Sequence, residues 1–377
     1  MSKRLTHAAL YKTRRRAMPY WTRSSQVCFF YISLACMPSV PELFEQFNKI
    51  NVLVVGDVMI DRYLTGSVDR ISPEAPVPIV SLKRAEDRLG GAANVALNLS
   101  ALGATPYLCS AIGDDAAADV FMRLLPEAAL PLAGIVRMAG RVTTVKTRVM
   151  AGPQHLLRID EEEARYLWPS EEEKLWQKVS ELLETKNIGA ILFQDYNKGV
   201  LTPGLIGRII EAGQKKGIPI TVDPKDRHFW AYRGVTLFKP NLKEIQHQVD
   251  FSLEPRLASL MEADRYIRER LGNTYTMITL SDKGIFLSAA VGEAQVYPTQ
   301  PRQIVDVCGA GDTVIGVATL ALASGLPPEQ LALLSNLAGG QVCERVGVAP
   351  VNKAQLQAEY TEMEKKEKGN TADATEY

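Results

Sequence analysis

The sequence predicts an α/β protein with a mostly parallel central sheet covered by helices on both faces, and a small β flap beside it. Three observations carry this. Short apolar runs recur (Val52-Leu53-Val54-Val55, Ala190-Ile191-Leu192-Phe193, Ile220-Thr221-Val222) and suit strands buried on both faces. Amphipathic stretches at 169–184 and 202–216 separate them at the spacing of βαβ units. Two segments fall outside this rhythm, about 62–89 with Pro73, Pro76 and Pro78, and the alternating 142–159, and read as flap strands. Right-handed crossovers then bring the carboxyl ends of the main strands to one rim.

The chain has 377 residues, 46% hydrophobic and 23% charged with zero formal net charge, so nothing points to a nucleic-acid or membrane partner. Cys28, Cys36, Cys109, Cys308 and Cys343 show no paired short spacing and read as reduced thiols of a cytoplasmic protein. The scattered His7, His155, His228 and His247 argue against a histidine-built metal site. Residues 1–41 differ from the rest: Lys3, Arg4, Lys12, Arg14, Arg15, Arg16 and Arg23 occur with no acidic residue. The apolar run Val27–Ala35 is too short to span a bilayer. A basic stretch before such a run resembles a targeting peptide; a translation start assigned too far upstream is the reading we favour, and the segment is expected to be disordered.

Along the chain, the first strand ends in Gly56-Asp57, with Asp61 soon after. Ligands of open α/β sheets collect beyond such ends, where Asp57 and Asp61 could accept hydrogen bonds from sugar hydroxyls, or Asp61 could cap a turn. Gly90 and Gly91 feed a small-residue helix that carries Asn94 in its first turn and stops at Gly103; close helix packing is the alternative reading. Tyr107–Ile112 repeats the strand-then-Gly-Asp pattern. Lys146, Arg148 and Arg158 lie on the second flap segment, within reach of an anionic substrate or simply solvated. Asn241-Leu242-Lys243-Glu244 opens a helix after Pro240, and its Asn and Glu three apart suit either a cap or the water shell of Mg²⁺. Tyr275–Gly284 is a further strand and turn on the same rim, 329–345 is a helix with Asn336 in its middle, and 362–377 reads as a frayed polar tail.

The chemistry is expected at Asp306-Val307-Cys308-Gly309-Ala310-Gly311-Asp312-Thr313, where a glycine loop enters a breaker-free helix. Free N–H groups and the positive dipole end suit an anion there, and a glycine backbone can approach it closely. A carboxylate at an anion site needs a reason. Asp312 is either a helix-start residue or a general base that takes a proton from a hydroxyl attacking phosphorus, with the loop amides holding the charge that builds on the phosphoryl group. The Walker and dinucleotide glycine motifs are absent, which disfavours P-loop and dehydrogenase readings.

Gly90-Gly91-Ala92-Ala93-Asn94-Val95-Ala96 and Asp306–Thr313, in this order and with the strand rhythm between them, resemble the ribokinase-like (PfkB) family of sugar kinases over about residues 48–350. Gly56–Tyr63, Arg70–Pro78, Asp223-Pro224-Lys225 and Pro240–Glu244 look most like the heptose 7-phosphate kinases of lipopolysaccharide core synthesis. Some of these are fused to a nucleotidyltransferase with a His-x-Gly-His motif that this sequence lacks, so the stand-alone kinase is expected. The resemblance implies a ribokinase-like three-layer sandwich and a transfer from ATP to the anomeric O1, with Asp312 as base and Gly309, Ala310 and Gly311 as the anion hole. It implies that Asn241 and Glu244 organise Mg²⁺ through water, and that Leu242, Lys243, Ser281, Gly284 and Asn336 line the nucleotide. The phosphosugar is expected between Asp57, Asp61, Gly90, Gly91, Asn94 and the flap, with Lys146, Arg148, Lys198, Lys225 and Arg227 as candidates for its phosphate. A flap-mediated homodimer is expected, because edge strands need covering. Cys308 departs from the Thr usual in the family. Another sugar as substrate, or a silent sugar-binding protein of the same fold, are the alternatives.

Overall fold

The computed structural model describes residues 38–152, 154–289 and 294–373, with side chains to residue 365 apart from the gaps. The basic extension lies outside these residues up to position 37. Its expected last residues do not: Val40 and Pro41 open α1 (Val40–Phe47), since Ser39 and Glu42 close a capping box and Val40, Leu43, Phe44 and Phe47 are buried in the core.

The chain continues through β1 (Asn51–Gly56), the long hairpin β2 (Val58–Ile71) and β3 (Pro78–Gly91), α2 (Ala92–Ala101), β4 (Thr105–Ile112), α3 (Ala116–Glu127), β5 (Ile135–Arg137) and the hairpin β6 (Val145–Ala151) and β7 (Gln154–Glu161). Then come α4 (Pro169–Thr185), β8 (Ile188–Gln194), α5 (Pro203–Lys215), β9 (Ile220–Asp223), β10 (Leu237–Phe238), α6 (Leu242–Gln246), α7 (Leu257–Leu271) and β11 (Tyr275–Thr279). It closes with β12 (Ile285–Ala289), β13 (Gln295–Tyr297), α8 (Ala310–Ala323), α9 (Pro328–Val342) and α10 (Lys353–Asp373). α10 corrects the expected tail from residue 362 as far as Asp373, and residues 374–377 lie outside the described residues. Its Ala, Glu, Gln, Lys and Met are good helix formers, and Leu356 and Tyr360 anchor its start in the core.

The main sheet has the order β13-β12-β11-β10-β9-β8-β1-β4-β5. It is parallel from β11 to β5, while β12 and β13 add an antiparallel edge that the apolar pattern did not distinguish. The apolar runs are buried twice over. Val52, Val54 and Leu192 face a core shared with α1, α2, α3, α8 and α9. Leu53, Val55, Ile191 and Phe193 face the other core, shared with α4, α5 and α7. The result is the expected three-layer sandwich. The flap is a separate four-stranded sheet, β3-β2-β6-β7, in which β2 pairs with β6 in parallel and places Asp61 beside Lys146. The chain leaves β1 toward β4 on one side and later returns to β8 on the other. The gap beyond the carboxyl ends of β1 and β8 is therefore the topological switch point, where ligands of such sheets bind.

Candidate active site

Three segments converge at that gap. Gly309 is the N-cap of α8 with φ +80°, a left-handed conformation suited to glycine, and no side chain caps the helix. A Cβ on Gly309 would stand 2.9 Å from the Asn94 amide nitrogen, so the loop can lie against the start of α2 only because this residue is glycine. Asp312 is buried in the first turn, and its carboxylate turns away from its own helix. Oδ2 accepts from Asn94 Nδ2 at 2.7 Å, and Oδ1 accepts from the Tyr196 hydroxyl at 2.5 Å and from Gln194 Nε2 at 3.1 Å. Burial pushes its pKa up to about 6, with Asp223 adding to the rise, while the Tyr196 and Asn94 donors and Lys239 hold it down. A carboxylate poised there is ionised at neutral pH yet basic enough to take a proton. Beneath the loop, Asp223 and Lys239 form a buried ion pair at 3.0 Å, and Gln194 Nε2 reaches Asp223 as well at 3.3 Å.

On the flap side, Asp61 is buried and paired with Arg148, which also stacks over the Tyr63 ring. Gly90 makes room for it: a Cβ there would fall 2.3 Å from Asp61 Oδ2. Gly91 takes φ +62° as the chain turns into α2. Asp57 has a different task from the one expected. Its two oxygens accept the backbone N–H groups of Tyr196, Lys198 and Val200 at 2.9, 3.1 and 3.0 Å, so it shapes the loop after β8 and has little capacity left for a sugar. The cation candidates are also engaged. Lys146 pairs with Asp160 and Glu162, Lys198 with Glu162, and Lys225 with Glu244. Arg227 stacks on Tyr166 and donates to the Ala164 carbonyl, so packing of its guanidinium, not anion binding, accounts for its position.

On the other side of the loop lies an open cleft of about 560 Å³, within the range of small-molecule sites. Its walls include Asn241, Leu242, Lys243, Ser281, Gly284 and Asn336, together with Ala310 and Gly311. The cleft thus gathers the expected nucleotide residues against the α8 N-terminus. Asn336 contributes a wall and no free amide donor, since its Nδ2 is held by the Tyr297 and Pro298 carbonyls at 3.2 and 2.9 Å. Asn241 and Glu244 form a reciprocal cap: Asn241 N donates to Glu244 Oε2 at 2.8 Å and Glu244 N to Asn241 Oδ1 at 2.9 Å. Among the described residues no three His, Cys, Asp or Glu converge on a metal position. This donor set fits Mg²⁺ held through its waters by one oxygen-bearing side chain, and does not fit a directly ligated cage.

Residues 49–355 match the pfkB family of carbohydrate kinases. The chain belongs to that family. It is 41% identical over 312 residues to the bifunctional protein HldE of Methylobacillus flagellatus, covering 83% of this chain and 63% of the relative. It is 38% identical over 318 residues to the bifunctional protein HldE of Geobacter sulfurreducens, covering 84% and 64%. The chain therefore spans less than two thirds of the length of these curated relatives. In fold it is similar to phosphofructokinase-2 of Escherichia coli, with a TM-score of 0.69 at 20% identity over 84% of this chain and 99% of that one. Arabidopsis thaliana ribokinase follows at 0.64 and 18%, over 82% and 98%.

As a pfkB carbohydrate kinase, the chain is a phosphotransferase acting on a sugar hydroxyl. Asp312 stands between the cleft that Ala310 and Gly311 help to line and the space toward Asp61 and the flap. Gln194, the last residue of β8, and Tyr196, just beyond it, escaped the sequence reading as site residues. The missing signal was strand order, since only knowing that β8 neighbours β1 brings the end of that strand and the residues after it to Asp312. Lys239, just before the recognised Pro240-Asn241 pair, was passed over for the same reason. Cys308 contributes a backbone amide, which donates to Asp306 Oδ1 at 3.0 Å, and its thiol pKa is pushed up to about 11 by burial and then by Asp306.

Proposed function

We propose that the chain transfers the γ-phosphoryl group of MgATP to the anomeric O1 of D-glycero-D-manno-heptose 7-phosphate, giving the 1,7-bisphosphate for ADP-heptose and lipopolysaccharide core synthesis. The observation that carries the phosphoryl-transfer step is the buried Asp312 carboxylate, oriented by Tyr196, Gln194 and Asn94 at the uncapped N-terminus of α8. Asp312 takes the O1 proton as that oxygen attacks phosphorus, and the loop amides at Gly309, Ala310 and Gly311 hold the charge on the transferred group. Bound Mg²⁺, held through water near Asn241 and Glu244, would neutralise phosphate charge. The heptose assignment rests on the motif residues Gly56–Tyr63 and Arg70–Pro78 and on the similarity to proteins named HldE. We place the protein in the cytoplasm, where ATP is supplied, and among the described residues no helix is long and apolar enough to cross a membrane.

The test is coupled ADP release from MgATP with D-glycero-D-manno-heptose 7-phosphate, ribose, fructose 6-phosphate and 2-keto-3-deoxygluconate. Turnover confined to the heptose phosphate is expected. Turnover with another sugar alone would replace the substrate and keep Asp312 as base, and ATP binding without any turnover would favour a silent sugar-binding protein. The flap supports the dimer we also propose, since it exposes Ile71, Val77, Leu82, Leu157 and Ile159 on strands or their connection. Light scattering at micromolar concentration should give twice the chain mass; a stable monomer there removes the dimer.

A further inference from the structure

Two lysines from different parts of the chain converge on one atom. Lys146 Nζ, on β6 of the flap, and Lys198 Nζ, on the loop after β8, both contact Glu162 Oε2, at 3.0 and 2.7 Å. Both lysine side chains are largely out of solvent, at 16% and 15% exposed, while Glu162, just past β7, is 31% exposed. The surroundings place this cluster at the sugar end of the site. Lys146 is the register partner of Asp61, and Lys198 lies two residues after Tyr196, which holds Asp312. The Lys198 backbone is fixed on both sides, its N–H on Asp57 and its carbonyl on Arg141, so only the flexible ammonium stem is free to change partner.

We propose that Lys146 and Lys198 seat the phosphate of the sugar substrate, and that Glu162 is an internal counter-ion which this phosphate displaces. The charges support an exchange of partners. Asp160 also contacts Lys146 at 3.0 Å and is held by Arg158 at 2.9 Å. Once Glu162 withdraws, Lys146, Lys198 and Arg158 face the single carboxylate of Asp160, a surplus that a phosphate monoester, charged about −1.5 to −2 at neutral pH, neutralises. Glu162 is the mobile member because it sits at the end of β7, where it is the most exposed of the three. Burial raises the Glu162 pKa, but its hydrogen bonds to Lys198 and Lys146 outweigh this and keep it ionised as a competing anion.

The inference rests on the phosphosugar kinase reading, and its test separates the two. Inorganic phosphate is titrated by calorimetry into the full chain, into Glu162→Gln and Glu162→Ala, and into Lys146→Met and Lys198→Met. The KM for the turned-over phosphosugar is measured alongside. Removing the internal carboxylate should tighten phosphate binding and lower that KM, whereas either lysine change should weaken both by about ten- to a hundredfold. Unchanged or weaker phosphate binding in both Glu162 variants, with unaltered melting temperature, overturns the proposal even if the kinase is active. Tighter binding in them supports the seat even if no sugar in the panel is phosphorylated, in which case the substrate reading fails alone.

Discussion

The Tyr196 hydroxyl donates to Oδ1 of Asp312 at 2.5 Å, joining the loop after β8 to the first turn of α8. Gln194 donates to the same oxygen and Asn94 to the other, so the carboxylate is oriented from two elements and points away from its own helix. A residue serving only as a helix-start carboxylate would face its own first-turn amides. The observed arrangement supports the general-base role proposed for Asp312.

Asp312→Asn should lower kcat by roughly 10² to 10⁴ while leaving ATP affinity nearly unchanged, because a general base acts on the acceptor hydroxyl. Steady-state kinetics and nucleotide titration check this. Near-normal turnover would return Asp312 to a structural role.

The pH profile should carry the same signature. The proposed base works ionised, and burial pushes the Asp312 pKa up to about 6, so kcat/KM should fall as pH drops through that value. Tyr196→Phe removes a donor that favours the ionised form, which should move the acid limb to higher pH by about one unit. The other groups facing Asp312 (Asn94, Gln194, Asp223, Lys225 and Lys239) are unaltered in that variant. An acid limb that stays in place would show that the phenol merely fills space.

Gly90→Ala should raise the KM for the sugar and cost about 1–3 kcal/mol of stability. The new methyl would lie 2.3 Å from Asp61 Oδ2 and 2.9 Å from Met59 Cγ, and Asp61 cannot swing aside without leaving Arg148. Thermal unfolding together with sugar-dependent kinetics reads both effects. A variant with wild-type stability and KM would mean that Asp61 is not confined.

Lys239→Met should destabilise the fold by about 3–5 kcal/mol, since it strands the buried Asp223 carboxylate. Pairing it with Asp223→Leu should recover part of that loss in urea unfolding, because no lone charge then remains buried. A single variant as stable as the parent would show that water reaches the pair.

Much of this was legible in local patterns. The apolar runs at Val52–Val55 and Ala190–Phe193 announced strands buried on both faces, and both cores use them in that way. The two glycine loops were visible because φ +62° at Gly91 and φ +80° at Gly309 are demands that only a few residue types meet, so they leave a mark in sequence. α3 and α7 were harder to see. α3 is capped by Asp115, whose carboxylate accepts from Ala118 N at 2.7 Å, but locally this residue looks like part of a Gly-Asp strand ending. β12 and β13 look like any short apolar strands, since strand direction has no local signature.

The sequence by itself determined the α/β class and the family, and it marked out the glycine loop with Gly309, Gly311 and Asp312 as the place to look for the chemistry. These follow from backbone periodicity and from conformations that restrict residue type, both of which act over a few neighbouring residues. Tertiary structure alone decided the partners: that Tyr196 and Gln194 hold Asp312, that Asp57 is consumed by the loop after β8, and that Lys146 and Lys198 meet on Glu162. The reason is physical. Which charges and donors pair depends on strand order, register and the reach of long flexible side chains, and residues more than a hundred positions apart meet only after the sheet has set those distances.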